Sequence, residues 1–184
     1  MTDAASGLAV RTQNDDQPAP QQLYAESAFG EMYTDATGDA LTMASTAAAK
    51  PVANGAAGFN SAGLATGESN DVTLSIADGT FTVARGGTYL LEFNGTVVSG
   101  DAEEDITFEW QKNGTNLGEP AEAFLAMPAA AAALLNQHVS HACIVALSPG
   151  DAVRLTVLGQ DDQAITLQRF NLRVRLLKSQ SYGR

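Results

Sequence analysis

Residues 71–93, Asp-Val-Thr-Leu-Ser-Ile-Ala-Asp-Gly-Thr-Phe-Thr-Val-Ala-Arg-Gly-Gly-Thr-Tyr-Leu-Leu-Glu-Phe, constrain the fold more than any other stretch of the chain. Val72, Leu74 and Ile76 alternate with polar neighbours, the period-2 pattern of a half-buried strand. Asp78-Gly79 supplies the positive φ angles of a tight reversal, after which Phe81 and Val83 resume the alternation. Gly86-Gly87 makes a second turn, and Tyr89, Leu91 and Phe93 share one face of the strand that follows. Strands this short, joined by turns this tight, mean antiparallel β structure, because parallel neighbours need a long crossover between them.

A chain of 184 residues fits one domain with a tail and can bury a real core. Ala28-Phe29-Gly30-Glu31-Met32-Tyr33 reads as a first strand, and residues 34–70 as a long connection holding one or two short strands. Asn94-Gly95 could be a turn, but Thr96, Val97 and Val98 keep the β character. A glycine-containing bulge in a long strand is therefore expected there. Ile106, Phe108 and Trp110 alternate, and Asn113-Gly114 is the strongest hairpin signal in the chain. Pro128, alanines 129–133, Leu134 and Leu135 predict a short helix with proline in its first turn. Residues 137–147 read as a strand apolar on both faces, hence central or at a subunit interface. Residues 152–158 form the next strand, entered through Pro149-Gly150-Asp151. Within residues 164–177, Ile165 and Leu167 share one phase, while Phe170, Leu172, Val174 and Leu176 share the other. A bulge near Gln168-Arg169 reconciles the two and puts Arg173 and Arg175 on the opposite face.

Phe81, Gly87, Tyr89 and Phe93, at their spacing in this chain, resemble the signature of the complement-type globular head, sister of the tumour-necrosis-factor-like jelly roll. Leu147-Ser148-Pro149-Gly150-Asp151-Ala152-Val153-Arg154-Leu155 is similar to that superfamily's turn between its sixth and seventh strands. Gly30-Glu31-Met32-Tyr33, followed by small polar residues, resembles the start of bacteriophage virion proteins with this fold. The resemblance implies an all-β, antiparallel jelly-roll β-sandwich over residues 28–178. An extended N-terminal arm, residues 1–27, precedes it and a short tail, residues 179–184, follows. It also implies a homotrimer, since the superfamily packs three sandwiches around an axis. Tyr89, Phe108, Trp110, Phe170 and Leu172 are then core or trimer-interface residues.

The chemistry-bearing residues are sparse. A formal net charge of -11 opposes binding to a phosphate backbone, so no nucleic-acid partner is expected. Cys143 is the only cysteine and sits in an apolar run, which excludes a disulfide scaffold and points to a buried, inert thiol. The opening residues lack the basic and apolar regions of a signal peptide, and no apolar stretch approaches the length of a membrane span. The expectation is a soluble protein assembled in a reducing host cytoplasm, with no membrane partner. His138 and His141, three apart on a strand, point to opposite faces and cannot hold one metal. Asp101, Glu103, Glu104 and Asp105 lack the alternating spacing of a calcium loop and read as solvated carboxylates. Asn94-Gly95-Thr96 and Asn113-Gly114-Thr115 match the glycosylation pattern, but backbone geometry explains both. No nucleophile motif and no phosphate-cradling loop is present. No catalytic residue, cofactor-binding residue or metal ligand is therefore expected, and the chain is not read as an enzyme.

Residues 1–27, with Gln-Asn-Asp-Asp-Gln-Pro-Ala-Pro-Gln-Gln at their centre, cannot offset their own ordering entropy. They are either a solvated tail or an arm laid against a partner. Residues 1–40 hold seven acids and only Arg11, whereas residues 164–184 hold five basic residues and no acid. The function expected is a bacteriophage virion structural protein: a trimeric capsid decoration (cement) protein or head-fibre base on the particle surface. The arm would contact the major capsid protein or another virion protein. A rival is a host-recognition adhesin of a tail or fibre tip, which predicts shaft repeats that this chain lacks. A secreted ligand of the complement or cytokine type is a third.

Overall fold

Alternation of large apolar and polar residues decides which side of each strand is buried. Here it builds two facing sheets. The computed structural model describes residues 27–34, 41–43, 48–55, 63–99, 105–126, 135–159 and 165–179. Among them are strands β1 (Phe29–Thr34), β2 (Leu41–Met43), β3 (Lys50–Pro51), β4 (Leu64–Asn70), β5 (Val72–Ser75), β6 (Thr80–Val83) and β7 (Gly87–Ser99). These are followed by β8 (Asp105–Lys112), β9 (Thr115–Asn116), β10 (Glu122–Ala126), β11 (Leu135–Leu147), β12 (Ala152–Gly159) and β13 (Ile165–Ser179). No helix occurs among the described residues. The first sheet has the order β11-β7-β13-β1-β4, with β2 also on β13; the second has β10-β8-β12-β6-β5, with β3 on β12 and β9 on β8. The strand pairings are antiparallel, giving the expected jelly-roll sandwich.

The core is an aromatic cluster contributed by both sheets. Phe93 on β7 stacks on Phe170 of β13 (centroids 5.6 Å) and lies 5.3 Å from Phe108 of β8. Trp110 on β8 sits 6.4 Å from Phe81 and 6.5 Å from Phe93. Tyr89, Phe108, Trp110, Phe170 and Leu172 are all fully buried in this sandwich, so they are core residues of the single chain.

The opening stretch folds as expected in its first half. Val72, Leu74 and Phe81 belong to the β5–β6 hairpin, and Gly79 (φ 65°) takes the left-handed turn position. The second turn behaves differently. β7 does not fold back on β6; it crosses to the other sheet, so Phe81 and Phe93 face each other's layers. The described residues within 34–70 include three strands, β2, β3 and β4, where one or two were expected. The small residues of β4, Leu-Ala-Thr-Gly-Glu-Ser-Asn, hide its alternation. The helix expected from Pro128 lies outside the described residues, except Leu135, which is the first residue of β11. Residues 122–126, passed over in the sequence, form β10.

The two irregularities expected at Asn94-Gly95 and at Gln168-Arg169 are one feature. β7 runs unbroken against β11, while on the other side Arg169 and Phe170 together oppose Gly95. The extra residue is on β13, with Arg169 at φ 49°. A Cβ on Gly95 would stand 2.4 Å from Phe170 Cδ2, so glycine there is what lets the Phe170 ring enter the core. The Phe170 N–H, removed from the ladder, donates to Thr34 Oγ1 at 2.7 Å.

Candidate functional site

The outer face of the first sheet can be read row by row from its registers. One row runs Ile144 (β11), Leu90 (β7), Arg175 (β13), Phe29 (β1). The next runs Ala142, Glu92, Arg173, Glu31, and the third Ser140, Asn94, Asn171, Tyr33. A charged band therefore lies between an apolar row and a polar one. The Glu31 carboxylate accepts from Asn171 Nδ2 and from Arg173 Nε (3.0 Å) and Nη2 (2.9 Å). Those bonds, Asn171 first and Arg173 after it, hold its pKa below the usual glutamate value, against the opposing effect of burial. Glu92 stands 3.9 Å from the other side of the Arg173 guanidinium. Arg175 has no ion-pair partner among the described residues. Together with Phe29, Glu31, Glu92 and Arg173 it edges a pocket of about 160 Å³. Half-exposed pairs of this kind contribute about 1 kcal/mol or less, so they orient neighbours more than they stabilise.

Gly30-Glu31-Met32-Tyr33 acquires a physical account at this face. Gly30 points inward, where a Cβ would meet Leu74 Cδ2 at 2.8 Å; Glu31 clamps Arg173; Met32 is fully buried; Tyr33 is on the surface.

β11 is an edge strand, not a central one; among the described residues it pairs only with β7. Its inward residues Val139, Cys143 and Leu147 are buried, while Ala142, Ile144 and Ala146 face out, Ile144 with 63% of its surface exposed. The second apolar face seen in the sequence is therefore uncovered in the isolated chain. Burial pushes the Cys143 thiol up to about 11, as expected of an inert core cysteine. His138 and His141 do take opposite faces. His138 is exposed, whereas His141 packs 5.9 Å from the Phe93 ring and its Nε2 lies 2.8 Å from the Pro120 carbonyl oxygen.

That contact ties β11, an edge strand of the first sheet, to the loop that leads into β10, an edge strand of the second. A groove of about 540 Å³ opens there, lined by Glu119, Pro120, Glu122, Phe124 and His141. Phe124 is 62% exposed. Its sequence signal was inverted: in β10 the inward positions are Ala123 and Leu125, so the largest side chain sits on the solvent phase. Of the acidic group at 101–105 only Asp105 is described, as the first residue of β8. Among the described residues no three His, Cys, Asp or Glu side chains converge as a metal site. Of the arm only Ser27 is described; its carbonyl accepts from Asn70 Nδ2 at 3.2 Å.

The sequence matches no protein-family profile and no curated protein. Solved structures do match its fold. The Eiger TNF from S. frugiperda superposes with a TM-score of 0.57 at 14% identity, over 86% of this chain and 98% of that one. The globular domain of zebrafish complement 1qA protein gives 0.51 at 15% identity, over 84% of this chain and 100% of that one. The fold is thus the TNF-like, complement-type jelly roll, and at these identities the likeness concerns the fold alone.

Proposed function

We propose that this chain is a structural protein of a bacteriophage virion, a homotrimer that decorates the capsid surface or forms the base of a head fibre. Residues 1–27 would attach it to the major capsid protein or another virion protein. The observation that carries the reading is the outer face of the first sheet with its open edge. Ile144 is exposed there, Leu90 is half-buried beside it, and Arg175 in the same row has no ion-pair partner among the described residues. A monomer has little reason to leave a paired charge band and an apolar row side by side on one face, whereas a second copy can cover both. The virion assignment is supported by the Gly30-Glu31-Met32-Tyr33 opening; the two solved neighbours, both animal proteins, bear only on the fold.

Deletion of residues 2–27 tests the attachment. The truncated chain is expected to sediment as a folded trimer and to be lost from particles that lack the native protein. A truncated trimer that decorates such particles as well as the full chain would move the anchor onto the jelly roll. A stable monomer at micromolar concentration for the full chain would remove the trimer.

A further inference from the structure

The groove between β10 and β11 is not used by the outer face just described, and it has three properties of a strand-binding site. β11 offers an edge of 13 residues, unpaired on that side among the described residues. Glu119 and Glu122 line the groove without an ion-pair partner among the described residues, so it is net negative. Phe124 stands in it as an exposed ring. Such a site takes an extended basic segment carrying an aromatic side chain.

The chain contains one. The end of β13 and the residues after it read Lys178-Ser179-Gln180-Ser181-Tyr182-Gly183-Arg184, of which Lys178 and Ser179 still pair with Thr88 and Gly87 of β7. With a period of two, Gln180, Tyr182 and Arg184 share one face of an extended segment, and Ser181 and Gly183 share the other. We infer that residues 180–184 of a neighbouring copy add to the free edge of β11, with Tyr182 against Phe124 and Arg184, two residues on, against Glu122 and Glu119. The inference rests on the self-assembly reading above and deepens it.

The segment cannot serve its own groove. Ser179, Gly87 and Leu147 lie in one register row, and His141 is six residues back along β11. That is about 20 Å along the strand, plus about 9.5 Å across two strand spacings. Tyr182, three residues past Ser179, reaches about 11 Å at most. The occupant is a second copy.

The full-length double variant Phe124→Cys/Tyr182→Cys provides the test. Mild oxidation should give covalent dimers and trimers on a non-reducing denaturing gel, while either single variant, with Cys143 buried, should give none. Monomer bands from a sample that still sediments as a trimer would overturn the tail exchange and leave the trimer standing. An internal disulfide would assign the tail to its own groove and overturn it as well. A monomer by sedimentation would remove both readings. Because cysteine at Phe124 changes the groove, charge reversal gives a second measurement. Glu119→Lys/Glu122→Lys should raise the dissociation constant of the assembly at least tenfold, and adding Arg184→Glu should bring it back toward the starting value. No change would mean that no basic segment occupies the groove, and no restoration that a different basic segment does; either overturns the tail exchange.

Discussion

β11 and β13 flank β7 on its two sides, and the pair shows how one sequence signature arises from two causes. Both are long strands with apolar residues in both phases. In β13 the second phase is produced by the bulge: Ile165 and Leu167 point inward before it, Phe170, Leu172 and Val174 after it, so all five are buried. β13 is paired on both sides, and its outward Arg173 is matched by Glu31 and Glu92. In β11 there is no bulge against β7; its second phase, Ala142, Ile144 and Ala146, points to solvent. One strand is scaffold, and the other presents an uncovered surface. Substitutions in each should therefore differ in kind.

The largest effect is expected on the scaffold side. Phe170→Ala removes a ring stacked on both Phe93 and Phe108 at the centre of the core. Gly95 has no side chain to fill the space left, so the loss should be about 3–5 kcal/mol. Urea unfolding of the variant should show a lowered midpoint with an unchanged slope. A loss under about 1 kcal/mol would mean that the bulge does not anchor the core.

That bulge also marks how far the sequence could be read. The phase change at Gln168-Arg169 required a break, and Asn94-Gly95 required something other than a turn, because both rest on strict period-2 geometry. That the two oppose each other depends on a pairing between distant segments, which alternation alone does not encode. The edge position of β11 was hidden for a related reason: apolar residues facing a neighbouring sheet and apolar residues facing an absent copy are written alike. β10 was missed because its core-facing alanine is small and its phenylalanine points outward. The groove it forms with β11 was invisible as a result, although Glu119, Glu122 and His141 were all in view.

A smaller effect is expected where β11 ends. The turn from β11 to β12 is held by Asp151, whose carboxylate accepts from Lys112 Nζ (2.8 Å), Ser148 N (2.7 Å) and Asn113 Nδ2 (2.8 Å). This ties the end of β11 in the first sheet to the Asn113-Gly114 hairpin in the second. The bond from Lys112, then that from the Ser148 amide, lower the Asp151 pKa from 3.8 to about 2. The charged form is the one favoured by folding. Its contribution is complete above the unfolded pKa near 4 and is lost as the pH falls toward 2. Asp151→Asn should cost about 1–2 kcal/mol at pH 7. Between pH 4 and 2 the gap between wild type and variant should close. A gap independent of pH over that interval would show that packing of the turn, not its charge, holds the end of β11.

The smallest effect on folding should come from Ile144, the exposed large apolar side chain on the outer face of β11. Ile144→Thr keeps the β-branch and the strand preference, changes no charge, and removes apolar surface that is 63% exposed in the single chain. The cost to the monomer should stay within about 0.5 kcal/mol, as for surface positions generally. Assembly should respond quite differently. If the row of Ile144 and Leu90 is buried against a second copy, each protomer loses about 1 kcal/mol of apolar burial. Three such losses in a trimer amount to about a hundredfold weaker association. Sedimentation over a dilution series, run beside a thermal melt at high concentration, separates the two quantities. A variant that melts like the wild type yet dissociates at higher concentration places Ile144 at the interface. A variant that melts several degrees lower with unchanged association would make β11 a second scaffold strand and dissolve the contrast with β13.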